Sequence, residues 1–243
     1  MSNAKNLWQG LSADAQKSLS SRNYEPGSLA QRVANVGVEA AELLDKRGDT
    51  DVWIPGVEIF PRQIHRQHHR GLFGEFVRRD EGVLAEIKLW PVQWSAARMF
   101  ARTAKGFHIH PPHVPTGEDA AKWFRKLYVD QAENYALRPY DREQWDVMFF
   151  IQGTAEMILR DVRAGLPPRT MRFFIDGDNH RGPNNVGVVV PPGVAHAIRA
   201  ENAEDVLMVY GTSVSFKPEF EGRIASEIET APLPAEWQKF LAD

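Results

Sequence analysis

Lys105-Gly106-Phe107-His108-Ile109-His110 is the stretch of sequence that decides the fold. Alternate side chains of a strand lie on one face, so His108 and His110 share a face and Phe107 and Ile109 share the other. Val190-Pro191-Pro192-Gly193-Val194-Ala195-His196 predicts a turn that leads into a second strand with a third histidine. We therefore expect a small-molecule pocket where these histidines meet.

Short predicted strands continue on both sides of these two stretches, with Gly, Pro and Asp turns between most of them. The predicted strands are 72–79, 83–89, 105–110, 147–152, 155–161, 170–175, 186–190 and 206–213. Many short strands at this spacing favour a β-sandwich or β-barrel over alternating strands and helices. The predicted fold class is mainly β.

Helical patterns are predicted at both ends of the chain and within the barrel. An N-terminal helical extension covers 1–51, and its apolar stripe from Leu29 to Leu43 has helical spacing. The barrel covers 52–224 and is interrupted by a helical insertion at about 116–138. A tail with a short helix covers 225–243.

Composition excludes several classes of function. The chain has 243 residues, 43% of them hydrophobic, which is enough for a sizeable core. Its net charge of -3 argues against a nucleic-acid partner, and the absence of a long apolar run argues against a membrane partner. We therefore expect a cytoplasmic protein. With no cysteine, a metal must be held by histidine and carboxylate.

The glycine-led H-x-H and the P-x-G-x-x-H resemble the two sequence motifs of the cupin superfamily. In metal-binding cupins, one divalent ion is held by both histidines of the first motif, a glutamate shortly after, and the histidine of the second. This resemblance implies a metal site formed by His108, His110 and His196, with His113 near the glutamate position. Histidines that only satisfy buried hydrogen bonds are the open alternative, and the sequence does not choose among Zn, Fe, Ni, Mn and Cu.

A closer resemblance covers roughly 54–224 and rests on several motifs in the right order. Arg70-Gly71-Leu72-Phe73-Gly74-Glu75-Phe76, the segment 105–113 and the segment 190–198 resemble motifs of the dTDP-4-dehydrorhamnose 3,5-epimerase (RmlC-like) family. The resemblance implies an RmlC-like jelly roll, a homodimer, no cofactor, and a nucleotide-linked 4-keto-6-deoxy sugar as ligand.

Carried over residue by residue, the resemblance implies a role for individual side chains. His108 corresponds to the base, Lys105 replaces an arginine of the family pattern, and Tyr210 is the candidate proton donor. The residues implied to bind the substrate are Arg70, Phe73, Glu75, Gln93 and Arg163.

Four other positions depart from the family pattern: Ser95 replaces an asparagine, His110 a glutamine, Asp146 a lysine and Phe216 a tyrosine. Asp146 inverts the charge that an enolate needs, Phe216 cannot donate a proton, and His110 restores the metal-type H-x-H. Three functions therefore remain open. They are a sugar isomerase of the epimerase type, a metal-dependent cupin isomerase or oxygenase, and a non-catalytic cupin that binds a sugar or nucleotide.

Overall fold

The computed structural model describes residues 53–110, 144–161, 169–180, 184–200, 203–217 and the backbone of 222–223. Within these ranges the chain is mainly β-strand, in agreement with the predicted fold class. The strands are β1 Glu58–Pro61, β2 Ile64–Arg66, β3 Leu72–Gly74, β4 Gln93–Met99, β5 Thr103–Ile109, β6 Asp146–Gln152, β7 Thr154–Asp161, β8 Thr170–Asp176, β9 Val186–Val190, β10 Val194–Ala200, β11 Val206–Thr212 and β12 Gly222–Arg223. A single helical turn, α1, spans Val83–Glu86, and a 3-10 turn spans His68–Arg70.

Two antiparallel five-stranded sheets build the body of the protein. The first has the order β1-β9-β6-β11-β4, and the second has the order β12-β5-β10-β7-β8. Strands β2 and β3 form a separate two-stranded hairpin. Apart from β7 and β8, neighbouring strands in each sheet are not consecutive in the chain, which is typical of a jelly roll and not of a simple meander.

Alternation along the strands fills the space between the sheets. In β6, Met148 and Phe150 belong to the main buried cluster, whereas Val147 and Phe149 pack on the outer face of the first sheet. Polar residues take inward positions towards one end, where Asp146 opens β6 and His196 lies in β10. The period of two thus separates an apolar core from a polar pocket on the same strands.

The predicted strand at 83–89 is wrong, because the chain forms α1 there. Val83, Ala85, Ile87 and Leu89 alternate as a strand would, but Leu84 and Ile87 also have the i, i+3 spacing of one helical face. Both are buried against the outer-face side chains of the first sheet, including Trp145 and Phe149. Burial on that face decided between two patterns that the local sequence fits equally well.

The other strand boundaries differ more modestly from the predictions. The predicted strand 72–79 ends at Gly74, after which Phe76 packs at 5.1 Å from the ring of Phe149. Periodicity does not predict strand β4, because its Ser and Ala residues make the two faces differ little in hydrophobicity. The predicted helices at 1–51, about 116–138 and 225–243 lie outside the described residues. No helix within the described ranges is both long and apolar enough to cross a membrane.

Candidate active site

An interior cavity of about 220 Å³ opens between the two sheets. Side chains of β4, β5, β6, β10 and β11 line it, and on β11 they do so at every second position, as in Tyr210 and Thr212. Its lining residues are Gln93, Ala97, Lys105, His108, His110, Gln144, Asp146, Met148, His196, Ile198, Met208, Tyr210, Thr212 and Phe216. A concave site with a few convergent polar groups is what a small-molecule ligand requires.

A β-bulge lets Lys105 and His108 face this cavity together. Residues three apart on a regular strand point to opposite faces. Here His196 pairs with His108 and Ile198 pairs with Lys105, so Gly106 and Phe107 both lie opposite Ala197. The extra residue in β5 resets the alternation and turns Lys105 to the same side as His108.

Gly106 is required at this bulge for two reasons. Its φ is +132°, a backbone conformation that residues with a Cβ atom rarely adopt. A Cβ atom there would also lie 2.7 Å from Ala197 Cα and 2.8 Å from the backbone oxygen of His196. The glycine of the first motif therefore permits the close approach of β5 and β10 that brings His108 beside His196.

His110, Asp146 and His196 converge at the polar end of the cavity. The Nε2 atom of His110 lies 2.9 Å from Asp146 Oδ2, and the Nε2 atom of His196 lies 3.7 Å from the same oxygen. Gln144 Nε2 donates to Asp146 Oδ1 at 3.0 Å. The histidines belong to the second sheet and the carboxylate to the first, so this cluster joins the two sheets.

His108 lies beside this cluster. The centroid of its ring is 5.8 Å from that of His196, and the His110 and His196 centroids are 5.3 Å apart. The ligand atoms that lie within 4.8 Å of one another belong to His110, Asp146 and His196. The cavity thus holds three histidines, of which two face the carboxylate most closely.

Burial and charge act in opposite directions on Asp146. Burial alone raises the pKa of this carboxyl, but the charge of His110, its hydrogen bond, the charge of His196 and the Gln144 bond together lower the pKa to about 2. Asp146 is therefore a carboxylate at neutral pH. For His196, burial is the largest effect and, with the nearby charge of His110, lowers the pKa to about 3 despite the attraction of Asp146. His196 is therefore neutral at pH 7.

Most of the residues predicted for the site line the cavity together. Lys105, His108 and Tyr210, the residues predicted to be catalytic, all contribute to its wall. The predicted metal ligands His110 and His196 do so too. Gln93 also lines the cavity, where its amide donates to Ser95 Oγ at 3.1 Å and its carbonyl accepts from the N–H of Phe216 at 2.9 Å.

The other predicted residues that the structure describes lie outside this cavity. Arg70 belongs to the exposed 3-10 turn, and Phe73 belongs to β3 with 52% of its surface exposed. Glu75 lines a separate surface groove and forms an ion pair with Arg78. Arg163 and His113 lie outside the described residues.

Sequence reasoning missed the way in which Asp146 and Gln144 act together. Asp146 was recognised only as a departure from a family lysine, although it forms the cluster with His110 and His196. The available signal was Gln144-Trp145-Asp146, in which two polar residues at a spacing of two open a buried strand. That spacing predicts one shared face, and both side chains do lie in the cavity wall.

A two-sheet antiparallel barrel with a histidine-lined interior cavity is a cupin fold of the RmlC-like jelly-roll type. No known family profile matches the sequence. The chain is 25% identical over 181 residues to the spore coat polysaccharide biosynthesis protein SpsL of Bacillus subtilis (strain 168). That alignment covers 73% of this chain and 93% of SpsL.

Two solved structures are similar to this chain. A dTDP sugar isomerase from Desulfovibrio desulfuricans G20 is similar with a TM-score of 0.50 at 13% identity, over 70% of this chain and 85% of the isomerase. The dTDP-6-deoxy-D-glucose-3,5-epimerase RmlC from Legionella pneumophila Philadelphia 1, in complex with dTDP-4-keto-L-rhamnose, gives a TM-score of 0.48 at 19% identity. It is matched over 70% of this chain and 73% of that chain. The match to the dTDP sugar isomerase confirms the predicted fold and nothing beyond the fold.

Proposed function

We propose that the protein is an isomerase of the sugar-epimerase type that acts on a nucleotide-linked keto-deoxy sugar. The observation that carries this proposal is that Lys105, His108 and Tyr210 line one cavity. Proton abstraction next to a ketone needs a base that works near neutral pH, which a histidine supplies. It also needs positive charge or a hydrogen-bond donor where negative charge develops on oxygen.

The three side chains have distinct roles in this proposal. His108 removes the proton next to the ketone. Lys105 faces the same cavity across the bulge and contributes positive charge towards the substrate. Tyr210, on β11 of the opposite sheet, is the donor that returns a proton from the other side.

The comparison with SpsL also favours a carbohydrate substrate, because that relative is a polysaccharide biosynthesis protein. Gln93 contacts the ligand inside the cavity, and Arg70, Phe73, Glu75 and Arg163 stay as proposed contacts for the nucleotide part. A cytoplasmic location belongs to the same proposal.

We also propose a homodimer. Phe76 and Trp94 pack against Phe149 on the outer face of the first sheet, at ring-centroid distances of 5.1 and 6.1 Å. Both remain more than a third exposed, as do Leu72 and Phe73 of the neighbouring hairpin. A cluster of large exposed apolar side chains is typical of a protein interface.

The test is hydrogen–deuterium exchange at the carbon next to the ketone of nucleotide-linked 4-keto-6-deoxy sugars in D2O, followed by NMR. The wild type should exchange, and His108→Gln should lower the rate by about 10²–10⁴-fold, the usual contribution of a positioned base. His180→Gln is the matched control, because His180 is a surface histidine paired with Glu204 at 2.6 Å. It should exchange like the wild type.

Two outcomes would contradict the proposal. One is an absence of exchange with every sugar of the panel, and the other is equal exchange by the wild type and His108→Gln. Nucleotide binding measured by calorimetry without any exchange would favour the non-catalytic sugar- or nucleotide-binding cupin instead.

A further inference from the structure

In the cluster of His110, Asp146 and His196, a hydrogen bond accounts for one of the two contacts between a histidine and the carboxylate. All three residues are at most 5% exposed. One oxygen, Asp146 Oδ2, lies between two imidazole nitrogens, at 2.9 Å from His110 Nε2 and 3.7 Å from His196 Nε2. The first distance is that of a hydrogen bond, but the second is too long for one.

The spacing of these atoms suits a shared cation. Nitrogen and oxygen ligands bind a transition metal at about 2.0–2.2 Å, so neighbouring ligand atoms around one ion lie about 3.0–3.5 Å apart. The two measured distances lie on either side of that range, and all three ligand atoms fall within 4.8 Å of one another. Small side-chain adjustments would therefore bring all three atoms onto one ion.

The backbone orients His196 for this role. Its Nδ1 atom lies 3.4 Å from the carbonyl oxygen of Val194, which can only accept a hydrogen bond. With Nδ1 donating to this carbonyl, Nε2 is the ring nitrogen that faces Asp146 and can bind a cation. An outer nitrogen held by a backbone carbonyl is the usual support of a metal-binding histidine.

We propose that His110, Asp146 and His196 bind one divalent first-row transition metal inside the barrel, with the remaining coordination positions open to the cavity. Two imidazoles and one carboxylate, with no thiolate in the chain, suit Zn, Fe(II), Mn, Co or Ni. His108 lies outside this ligand set and keeps its proposed role as the base.

This site deepens the proposed function and rests on it for its catalytic meaning. Asp146 occupies the position where the family pattern has a lysine beside the enolate oxygen. When His108 takes the proton, the C–H electron pair forms a C=C bond, the π pair of the carbonyl moves to its oxygen, and no net oxidation occurs. A divalent cation held by Asp146 restores at that place the positive charge that the carboxylate removed.

The experiment measures metal binding without reference to turnover. The full-length, untagged protein is stripped with a chelator, reloaded with Zn²⁺ or Co²⁺, and examined by elemental mass spectrometry and by visible absorption of the Co²⁺ form. The wild type, His108→Gln and His180→Gln should bind about one equivalent per chain. Asp146→Asn and His196→Gln should each bind more than about 100-fold more weakly, since even loss of an outer partner costs 10–100-fold.

Circular dichroism of the stripped proteins shows which variants are still folded. Co²⁺ titration of the folded variants then tests whether Asp146 and His196 bind the metal. Less than about 0.1 equivalent in the wild type would overturn the site. Equal binding by Asp146→Asn and His180→Gln would overturn it as well. Stoichiometric metal that depends on Asp146, together with no sugar exchange, would uphold the site and refute only the epimerase function.

Discussion

At the scale of single residues, Asp146 and His196 make the protein sensitive to acid. The folded-state pKa of Asp146 is about 2, below its value in the unfolded chain, so its stabilisation is present above about pH 4 and is lost as the pH falls towards 2. The folded-state pKa of His196 is about 3. Below about pH 6.5 the His196 side chain therefore binds a proton in the unfolded chain but not in the folded chain. The free energy of unfolding falls as a result.

The free energy of unfolding of the chelator-treated protein should therefore drop by about 2 kcal/mol between pH 7 and pH 4.5, mainly through His196. Urea denaturation at the two pH values measures it. His196→Gln should lose most of this dependence, and His180→Gln should keep it. An unchanged drop in His196→Gln would place the titrating group elsewhere.

A second prediction at this scale concerns Tyr210, whose proposed role is in proton return and not in proton removal. If Tyr210 returns the proton on the face opposite His108, Tyr210→Phe should keep deuterium exchange near the wild-type rate. Formation of the inverted product should fall by about 10²-fold, the lower end of the range for a positioned acid. NMR of one reaction mixture follows both quantities. Loss of exchange and inversion in equal measure would argue against this division of roles.

At the scale of elements, the bulge in β5 is the device on which the site depends. Gly106→Ala should destabilise the protein by about 1–3 kcal/mol, the usual cost of overpacking, and should lower the exchange rate because β5 and β10 must separate. Gly71→Ala is the matched control. Its φ of +129° is equally unfavourable for alanine, but nothing lies within 4 Å of the added Cβ.

Urea denaturation of the two glycine variants separates the effect of the close contact with Ala197 from the effect of backbone strain at a positive φ. Gly106→Ala should have the lower unfolding free energy. Equal losses in both variants would show that the φ angle, and not the approach of Ala197, requires the glycine.

The single turn α1 marks the limit of local sequence patterns. Four residues are too few for the period of 3.6 to be distinguished from a period of two, so 83–89 fits both. The buried strands β7 and β9, which turn residues bound in the sequence, agree with their predicted ranges to within a residue at each end. Where the two faces of an element differ little in hydrophobicity, as in β4, pairing with neighbouring strands and not the local pattern determines the strand.

At the scale of the whole molecule, the proposed homodimer predicts a surface that is sensitive to charge. Phe73→Asp should convert the protein to a monomer at micromolar concentration, because it puts a carboxylate into an apolar interface. Phe100→Asp is the control, since Phe100 is 66% exposed but lies beyond the opposite end of β4. Light scattering coupled to size exclusion measures the mass of each. A dimer that survives Phe73→Asp would exclude the hairpin from the interface.

The sequence by itself determined the antiparallel strands, the histidines of the two motifs and the absence of thiolate ligands. Those features are local: alternation has a period of two, and H-x-H places two rings on one face whatever the rest of the chain does. Only the tertiary structure decided that Asp146 meets His110 and His196, and that Lys105 turns to the side of His108. The first depends on how one sheet packs on the other, and the second on a register shift against β10. Neither leaves a periodic signal in the chain.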